Sequence, residues 1–167
     1  MKVCLVGESA VGKTSLVNRY VHNTFEDRYF ATIGAKITKT EVEIKGKKPA
    51  RLDMTIWDIM GEKGFRELLK EAYFEGAQGV LAVCDLTRPD TLDDLHTSLS
   101  TVLRITGRIP VVIVGNKVDL QDQMQVREQD VAAFAKTHSC PYKITSAKTG
   151  ENVRQAFRNI AKQFVRR

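Results

Sequence analysis

The spacing Gly7-x-x-x-x-Gly12-Lys13-Thr14 constrains this chain more than any other feature of it. An apolar run (Val3, Cys4, Leu5, Val6) precedes it, and a helical pattern through Leu16, Val17 and Tyr20 follows. The order is strand, glycine-bounded loop, helix, which is the context a P-loop requires. Gly7 and Gly12 let the backbone wrap close to an anion. The N–H groups of Ala10, Val11, Gly12, Lys13, Thr14 and Ser15 are expected to point into the concavity, where the helix N-terminus adds partial positive charge. Lys13 can reach terminal phosphates as a point charge, and the Thr14 hydroxyl can ligate Mg²⁺. The expectation is a nucleoside triphosphate site.

A chain of 167 residues, 43% of them apolar, suits one compact domain over residues 1–167 with an ordinary core. No stretch approaches the ~20 apolar residues of a membrane span. The opening MKVCLVGE already reads as strand, so neither a signal nor a transit peptide is expected. The three cysteines, Cys4, Cys84 and Cys140, match no metal spacing. Cys4 and Cys84 lie inside apolar runs, which predicts buried thiols and a reducing, cytoplasmic setting. The end FVRR carries no prenylation box, so no lipid anchor can be read from it.

A net charge of +6 raises the question of nucleic acid. The sequence lacks the aromatic-plus-basic platform such a partner needs. The cations concentrate instead on the last helix, where Arg154, Arg158, Lys162 and Arg166 recur every four residues opposite Val153, Phe157, Ile160 and Phe164. Two readings stand: a solvated face suited to the helix C-terminal dipole, or contact with an acidic partner or an anionic membrane surface, which would make the chain peripheral at a membrane.

Along the chain, a polar and aromatic connection runs from His22 to Gly34. Strict alternation of Thr38, Thr40, Val42 and Ile44 against Lys39, Glu41, Glu43 and Lys45 predicts a half-buried strand. A turn at Gly46-Lys47-Lys48-Pro49 leads to a return strand through Leu52, Met54 and Ile56, closed by Asp58. Ile59 to Lys63 reads as loop, and Phe65, Leu68, Leu69 and Tyr73 mark a helix. Continuous apolar runs at 80–84 and 111–114 predict strands covered on both faces. Helices follow from Pro89 and around Val126 to Lys136, then a short strand near Tyr142 to Thr145 and the terminal helix. Six strands interleaved with five helices make a three-layer α/β sandwich with a mostly parallel sheet. Ligands of such folds sit at the carboxyl ends of the strands.

Four further pieces fall just past strand ends, in order: Thr32-Ile33-Gly34, Asp58-Ile59-Met60-Gly61-Glu62, Asn116-Lys117-Val118-Asp119 and Ser146-Ala147-Lys148. Each alone is weak; the ordered set is specific. With it, the chain resembles the Ras superfamily of small GTPases along its whole length, most closely the Rab-like branch. The Rab-like character lies in FEDRYFATIGAKI (25–37), in IWD (56–58) and in AYFEGAQGVLAVCDLT (72–87).

The resemblance implies the G-domain fold and a guanine-nucleotide switch that binds GTP or GDP with Mg²⁺. By it, Asp119 matches the carboxylate that accepts from guanine N1–H and the exocyclic amine, with Asn116 and Lys117 bracing the base pocket. Ser146, Ala147 and Lys148 match the loop that reads guanine O6, and Phe25 matches the ring packed against the base. Thr32 matches the hydroxyl that senses the γ-phosphate through Mg²⁺. Asp58 matches the carboxylate that holds Mg²⁺ through water, and Gly61 the N–H donor to the γ-phosphate. Lys13, Thr32, Gly61 and Glu62 are then the residues nearest the reaction. An effector, an exchange factor and a GTPase-activating protein are the partners implied, and no nucleic acid.

The chain departs from that pattern at Ile59 and Met60, where small residues are usual, and at Glu62, where glutamine is usual. A carboxylate can accept from the attacking water but cannot donate to the phosphate, so hydrolysis is expected to persist at an altered rate. Ser9, where glycine would leave most room, is a milder change. No arginine stands where a built-in finger is expected, although Arg28 lies near the first switch; a partner would supply an acceleration of about 10³–10⁵. Tyr29 and Phe30, with Trp57, Phe65, Leu68, Leu69 and Tyr73, could form an effector surface or simply pack the core. Two functions remain open: a GTP-hydrolysing timer, and a GTP-loaded scaffold with very slow turnover. A P-loop phosphotransferase or ATPase fits poorly with Asn116-Lys117-Val118-Asp119 and the lack of a lid-like insertion.

Overall fold

Strand β1 (Lys2–Val6) lies at the centre of the molecule, paired in parallel with β3 (Ala50–Ile59) on one side and β4 (Gly79–Asp85) on the other. The computed structural model describes residues 1–28, 31–32, 34–44, 50–59 and 71–166. Beyond β3 runs β2 (Ala35–Ile44), antiparallel, and beyond β4 run β5 (Val111–Asn116) and β6 (Tyr142–Ile144), both parallel. The sheet order is β2-β3-β1-β4-β5-β6. Among the described residues, four α-helices, α1 (Lys13–His22), α2 (Pro89–Thr106), α3 (Glu128–Thr137) and α4 (Val153–Val165), join helical residues at 71–74.

The apolar strands divide their side chains with period two, so each feeds two cores. Cys4, Val6, Val80, Ala82, Cys84, Val111 and Ile113 pack on one face with Leu95 and Leu99 of α2 and Val131 of α3. Val3, Leu5, Leu81, Val83, Val112 and Val114 pack on the other with Leu16 of α1 and Phe157 and Ile160 of α4. This is the two-sided burial expected of near-continuous apolar strands. In β2 the expected alternation holds, with Val42 and Ile44 buried and Glu41 and Glu43 exposed. Tyr20 stacks on Phe157 at 4.1 Å, joining α1 to α4.

Two boundaries and the burial of one residue differ from the sequence expectation. β3 continues past Asp58 through Ile59, because Ala35 of β2 extends the ladder opposite it. α3 starts at Glu128, two residues after the apolar Val126, where the Asp130 carboxylate accepts the Arg127 N–H at 2.8 Å and closes the first turn. Phe164 of the terminal stripe is only half-buried, next to a half-exposed Val165. The turn at 46–49, Tyr29, Phe30, Ile33, and Met60, Gly61, Glu62, Phe65, Leu68 and Leu69 lie outside the described residues.

Strand order reverses at β1: the β2–β3 hairpin lies on one side and β4, β5 and β6 on the other. In open α/β sheets the crevice at such a reversal, beyond the strand carboxyl ends, is where ligands bind. The loops following β1, β5 and β6 open there, and Ile59 at the end of β3 borders the same crevice.

Candidate functional site

A cleft of about 530 Å³ lies over the loop that follows β1. Its floor demands glycine. Gly7 has φ +144° and a Cβ there would stand 2.2 Å from the Val83 carbonyl oxygen; Gly12 has φ +100° and its Cβ would stand 2.3 Å from Asn116 Nδ2. Helix α1 begins at Lys13 with no side-chain cap and no acidic residue in its first turn. Its first N–H groups are therefore left to solvent or an anion. The Lys13 ammonium is buried and donates to the Gly7 and Glu8 carbonyls at 2.9 and 2.7 Å, which holds it over the loop.

Beside it, three oxygen-bearing side chains converge from separate segments. The Thr14 hydroxyl donates to Asp58 Oδ2 at 2.5 Å and meets the Thr32 hydroxyl at 2.8 Å. Since Thr14 has one proton and Asp58 takes it, Thr32 is the donor to Thr14. Asp58 is buried at the end of β3, and its Oδ1 has no hydrogen-bond partner among the described residues. Burial pushes the Asp58 carboxyl up, against the opposing pull of the Thr14 hydrogen bond and of Lys13 and Lys36. An orphaned carboxylate oxygen beside two hydroxyls fits a hard cation that takes oxygen ligands and keeps waters, the habit of Mg²⁺. Among the described residues no group of three or more His, Cys, Asp or Glu could hold a metal; this set is of a different kind, one carboxylate with two hydroxyls.

The other end of the cleft is framed by Asn116, the last residue of β5. Its Nδ2 donates to the Val11 carbonyl at 3.0 Å, while its Oδ1 accepts from the Thr145 hydroxyl at 3.1 Å and the Ala147 N–H at 3.2 Å. Asp119 accepts from the Ser146 hydroxyl at 2.6 Å, and Ser146 in turn accepts the Thr149 N–H at 3.0 Å. Asp119 Oδ1 is thus fixed from below. Lys117 adopts a left-handed backbone with φ 73°, and its ammonium lies 2.6 Å from Asp85 Oδ2. Lys148, at the opposite rim, pairs with Asp27 at 3.2 Å.

Of the predicted residues, Ala10, Gly12, Lys13, Thr14, Ser15, Phe25, Thr32, Asn116, Lys117, Asp119, Ala147 and Lys148 line the cleft. Val11, Asp58 and Ser146 reach it through the bonds just given. Gly61 and Glu62 lie outside the described residues. Arg28 also lines the cleft and is exposed.

Sequence reasoning missed three side chains that hold these loops. Asp85 ends β4, fully buried. Arg88 donates to the Ser9 carbonyl at 2.7 Å. Arg19, on α1, donates to the Ala147 and Lys148 carbonyls at 2.8 and 2.5 Å and so braces the loop after β6. A carboxylate closing an otherwise apolar strand was the available signal for Asp85; no local pattern marks either arginine.

Comparison with known proteins agrees with the geometry. The chain matches the model of the Ras family over residues 2–166. It is 35% identical over 165 residues to Ras-related protein Rab-21 of Geodia cydonium, an alignment that covers 98% of this chain and 70% of that protein.

Proposed function

The chain belongs to the Ras family and is a Rab-like small GTPase, and from that premise we propose how its own residues divide the work. Members of the family bind guanine nucleotides with Mg²⁺ and work with effectors, exchange factors and activating proteins. In this chain residues 1–167 act as one GTP-binding domain. The amides from Ala10 to Ser15 and the Lys13 ammonium hold the polyphosphate. Asp119 accepts from guanine N1–H and the exocyclic amine, the loop Ser146-Ala147-Lys148 donates to O6, and Phe25 packs against the base. Asn116 and Lys117 keep these readers in register.

Thr14, Thr32 and Asp58 would hold Mg²⁺, which when bound supplies positive charge to the phosphate oxygens. Thr32 comes from the loop ahead of β2, so its hydroxyl is the group through which loss of the γ-phosphate reaches residues 24–34. Ordering of that segment and of 59–73 is the event an effector reads. Arg154 and Lys162 of α4 and Arg166 just past its end are exposed and Arg158 is half-buried, so this stripe is available to an anionic membrane surface or acidic partner, with the protein cytoplasmic and peripheral.

One observation carries this reading: two acidic groups stand at opposite ends of one cleft, Asp58 beside Lys13 and the two threonines, Asp119 beside Ser146. Adenine would present an amine where guanine presents a carbonyl and a protonated N1, leaving the acceptor at Asp119 facing no donor at N1. Sites built to pair such donors reject the wrong partner strongly. Competition against a fluorescent GDP analogue tests it. GTP and GDP should displace the probe at concentrations where ATP does not, and Asp119→Asn should abolish that preference. ATP competing as well as GTP would refute the reading.

Hydrolysis needs little covalent chemistry from a protein, so positioning and electrostatics dominate. Glu62 can accept a hydrogen bond from the attacking water, and its negative charge beside the phosphate slows the reaction relative to glutamine. The departure at Ile59-Met60-Gly61-Glu62 also favours a second reading, a GTP-loaded scaffold with very slow turnover. Single-turnover phosphate release over hours separates the two. Glu62→Gln should be faster than the parent; if Glu62→Ala equals the parent, Glu62 has no part in the reaction.

A further inference from the structure

Asp85 belongs to none of the nucleotide motifs, yet it is among the most enclosed charges in the molecule, 1% exposed at the end of β4. Its Oδ1 accepts the Thr87 N–H and hydroxyl at 2.9 and 2.7 Å. Its Oδ2 takes both the Lys117 ammonium, at 2.6 Å, and Arg88 Nε, at 3.2 Å. The Arg88 guanidinium continues to the Ser9 carbonyl at 2.7 Å. One buried carboxylate therefore joins the loop that carries Asp119 to the loop that follows β1. Lys117 keeps a left-handed backbone that a residue with a Cβ holds only when its surroundings over-determine it. Asp85 grips the end of its side chain, and the adjoining Val118 N–H donates to the Thr145 carbonyl at 3.1 Å.

We infer that Asp85 and Arg88 form an ionic strap between the base-reading loop and the phosphate loop, and that this strap limits how fast bound guanine nucleotide leaves; the inference rests on the reading of the cleft given above. For a nucleotide to escape, one of the two loops must draw back. With the strap closed, displacing Lys117 strains Asp85, Arg88 and Ser9 in turn, so neither loop opens alone. With it broken, each end lets go independently. Arg88 is the accessible part, its side chain 38% exposed while Asp85 is sealed. A protein that promotes exchange can therefore open the strap by drawing Arg88 off Ser9, leaving the buried carboxylate on Lys117. Both residues are positioning residues, touching loops rather than nucleotide.

The test is release of a fluorescent GDP analogue from the Mg²⁺-loaded protein chased with excess GDP. Arg88→Gln should release it roughly tenfold faster, the scale of one lost charge-assisted hydrogen bond, and Asp85→Asn at least as fast. The double variant should be no faster than the faster single, because both remove the same link. Arg88→Lys should restore the rate in part, since an ammonium cannot span both acceptors as a guanidinium does. Arg88→Gln lies on the rim, so it remains informative should Asp85→Asn fold poorly. Release at the parent rate from Arg88→Gln overturns the strap. Effects that multiply in the double variant also overturn it, since they indicate two unrelated structural losses. If the parent does not bind the GDP analogue at all, the reading of the cleft fails and the strap falls with it.

Discussion

The Asn116 amide nitrogen donates to the Val11 carbonyl at 3.0 Å, although 105 positions separate them in the chain. That bond ties the loop after β1 to the end of β5, and the same side chain's oxygen ties in Thr145 and Ala147 after β6. Three loops thus meet on one buried amide, and the spacing between the two ends of the cleft is set there.

Replacing Asn116 by alanine leaves the Val11 carbonyl, the Thr145 hydroxyl and the Ala147 N–H without their partner in a dry setting. Each stranded group costs about 1–3 kcal/mol. Asn116→Ala should lower unfolding free energy in urea by about 3 kcal/mol and weaken nucleotide binding further. Gly12→Ala should damage the same joint from the other side, because its Cβ would stand 2.3 Å from Asn116 Nδ2 at a φ of +100°. A Gly12→Ala protein with parental stability in urea would show that the loop shifts without strain.

In the proposed Mg²⁺ role Asp58 trades stability for a ligand: burial disfavours its charged form and pushes the carboxyl up, and among the described residues its Oδ1 has no partner. Asp58→Asn should therefore raise the stability of the metal-free, nucleotide-free protein, by about 1 kcal/mol, and lower Mg²⁺-dependent nucleotide affinity. Thermal melting in a chelator, set beside nucleotide titration with and without Mg²⁺, measures both halves. A variant less stable in chelator would show that the charge is not the cost.

Asp85 behaves in the opposite sense. Burial pushes its carboxyl up, but the Lys117 ammonium and the Thr87 donors outweigh that and hold it below its ordinary value of 3.8. The folded value is depressed, so the stability it contributes is fully present above 3.8 and is lost as pH falls through the folded value. The stability difference between parent and Asp85→Asn should thus stay constant from neutral pH to about pH 5 and shrink only in stronger acid. Denaturant melts across that range check it; a difference that already shrinks between pH 7 and pH 5 contradicts the assignment.

The thiols should be unreactive in a graded order. Burial pushes Cys4 and Cys84 up to about 12 and the half-buried Cys140 up to about 11. Thiolate is the reactive form, so at pH 8 iodoacetamide should modify Cys140 first and slowly, with Cys4 and Cys84 labelled only on unfolding. Mass spectrometry of a native time course resolves the sites. Labelling of Cys84 as fast as Cys140 would mean that β4 opens in the native state.

What could be read from the linear chain was whatever depends on near neighbours. Gly7, Gly12 and Lys13 announce a backbone turn, a close approach and a charge within eight positions. The alternation in 38–44 and the unbroken apolar run at 80–84 follow from which faces each strand must bury. Asn116, Asp119 and Ser146 were found because their spacing repeats that of a family, not because their contacts could be deduced.

Partnerships between distant segments had no such trace. Whether Asp58 would find a partner for both oxygens, which basic groups would neutralise Asp85, and that Arg19 and Arg88 would grip loop carbonyls depended on how the strands stack in space. An arginine on a helix looks alike in sequence whether it faces water or a carbonyl beyond the next loop. Hydrogen bonds and ion pairs act over about 3 Å, so only the folded arrangement, which brings positions a hundred residues apart within that reach, could decide them.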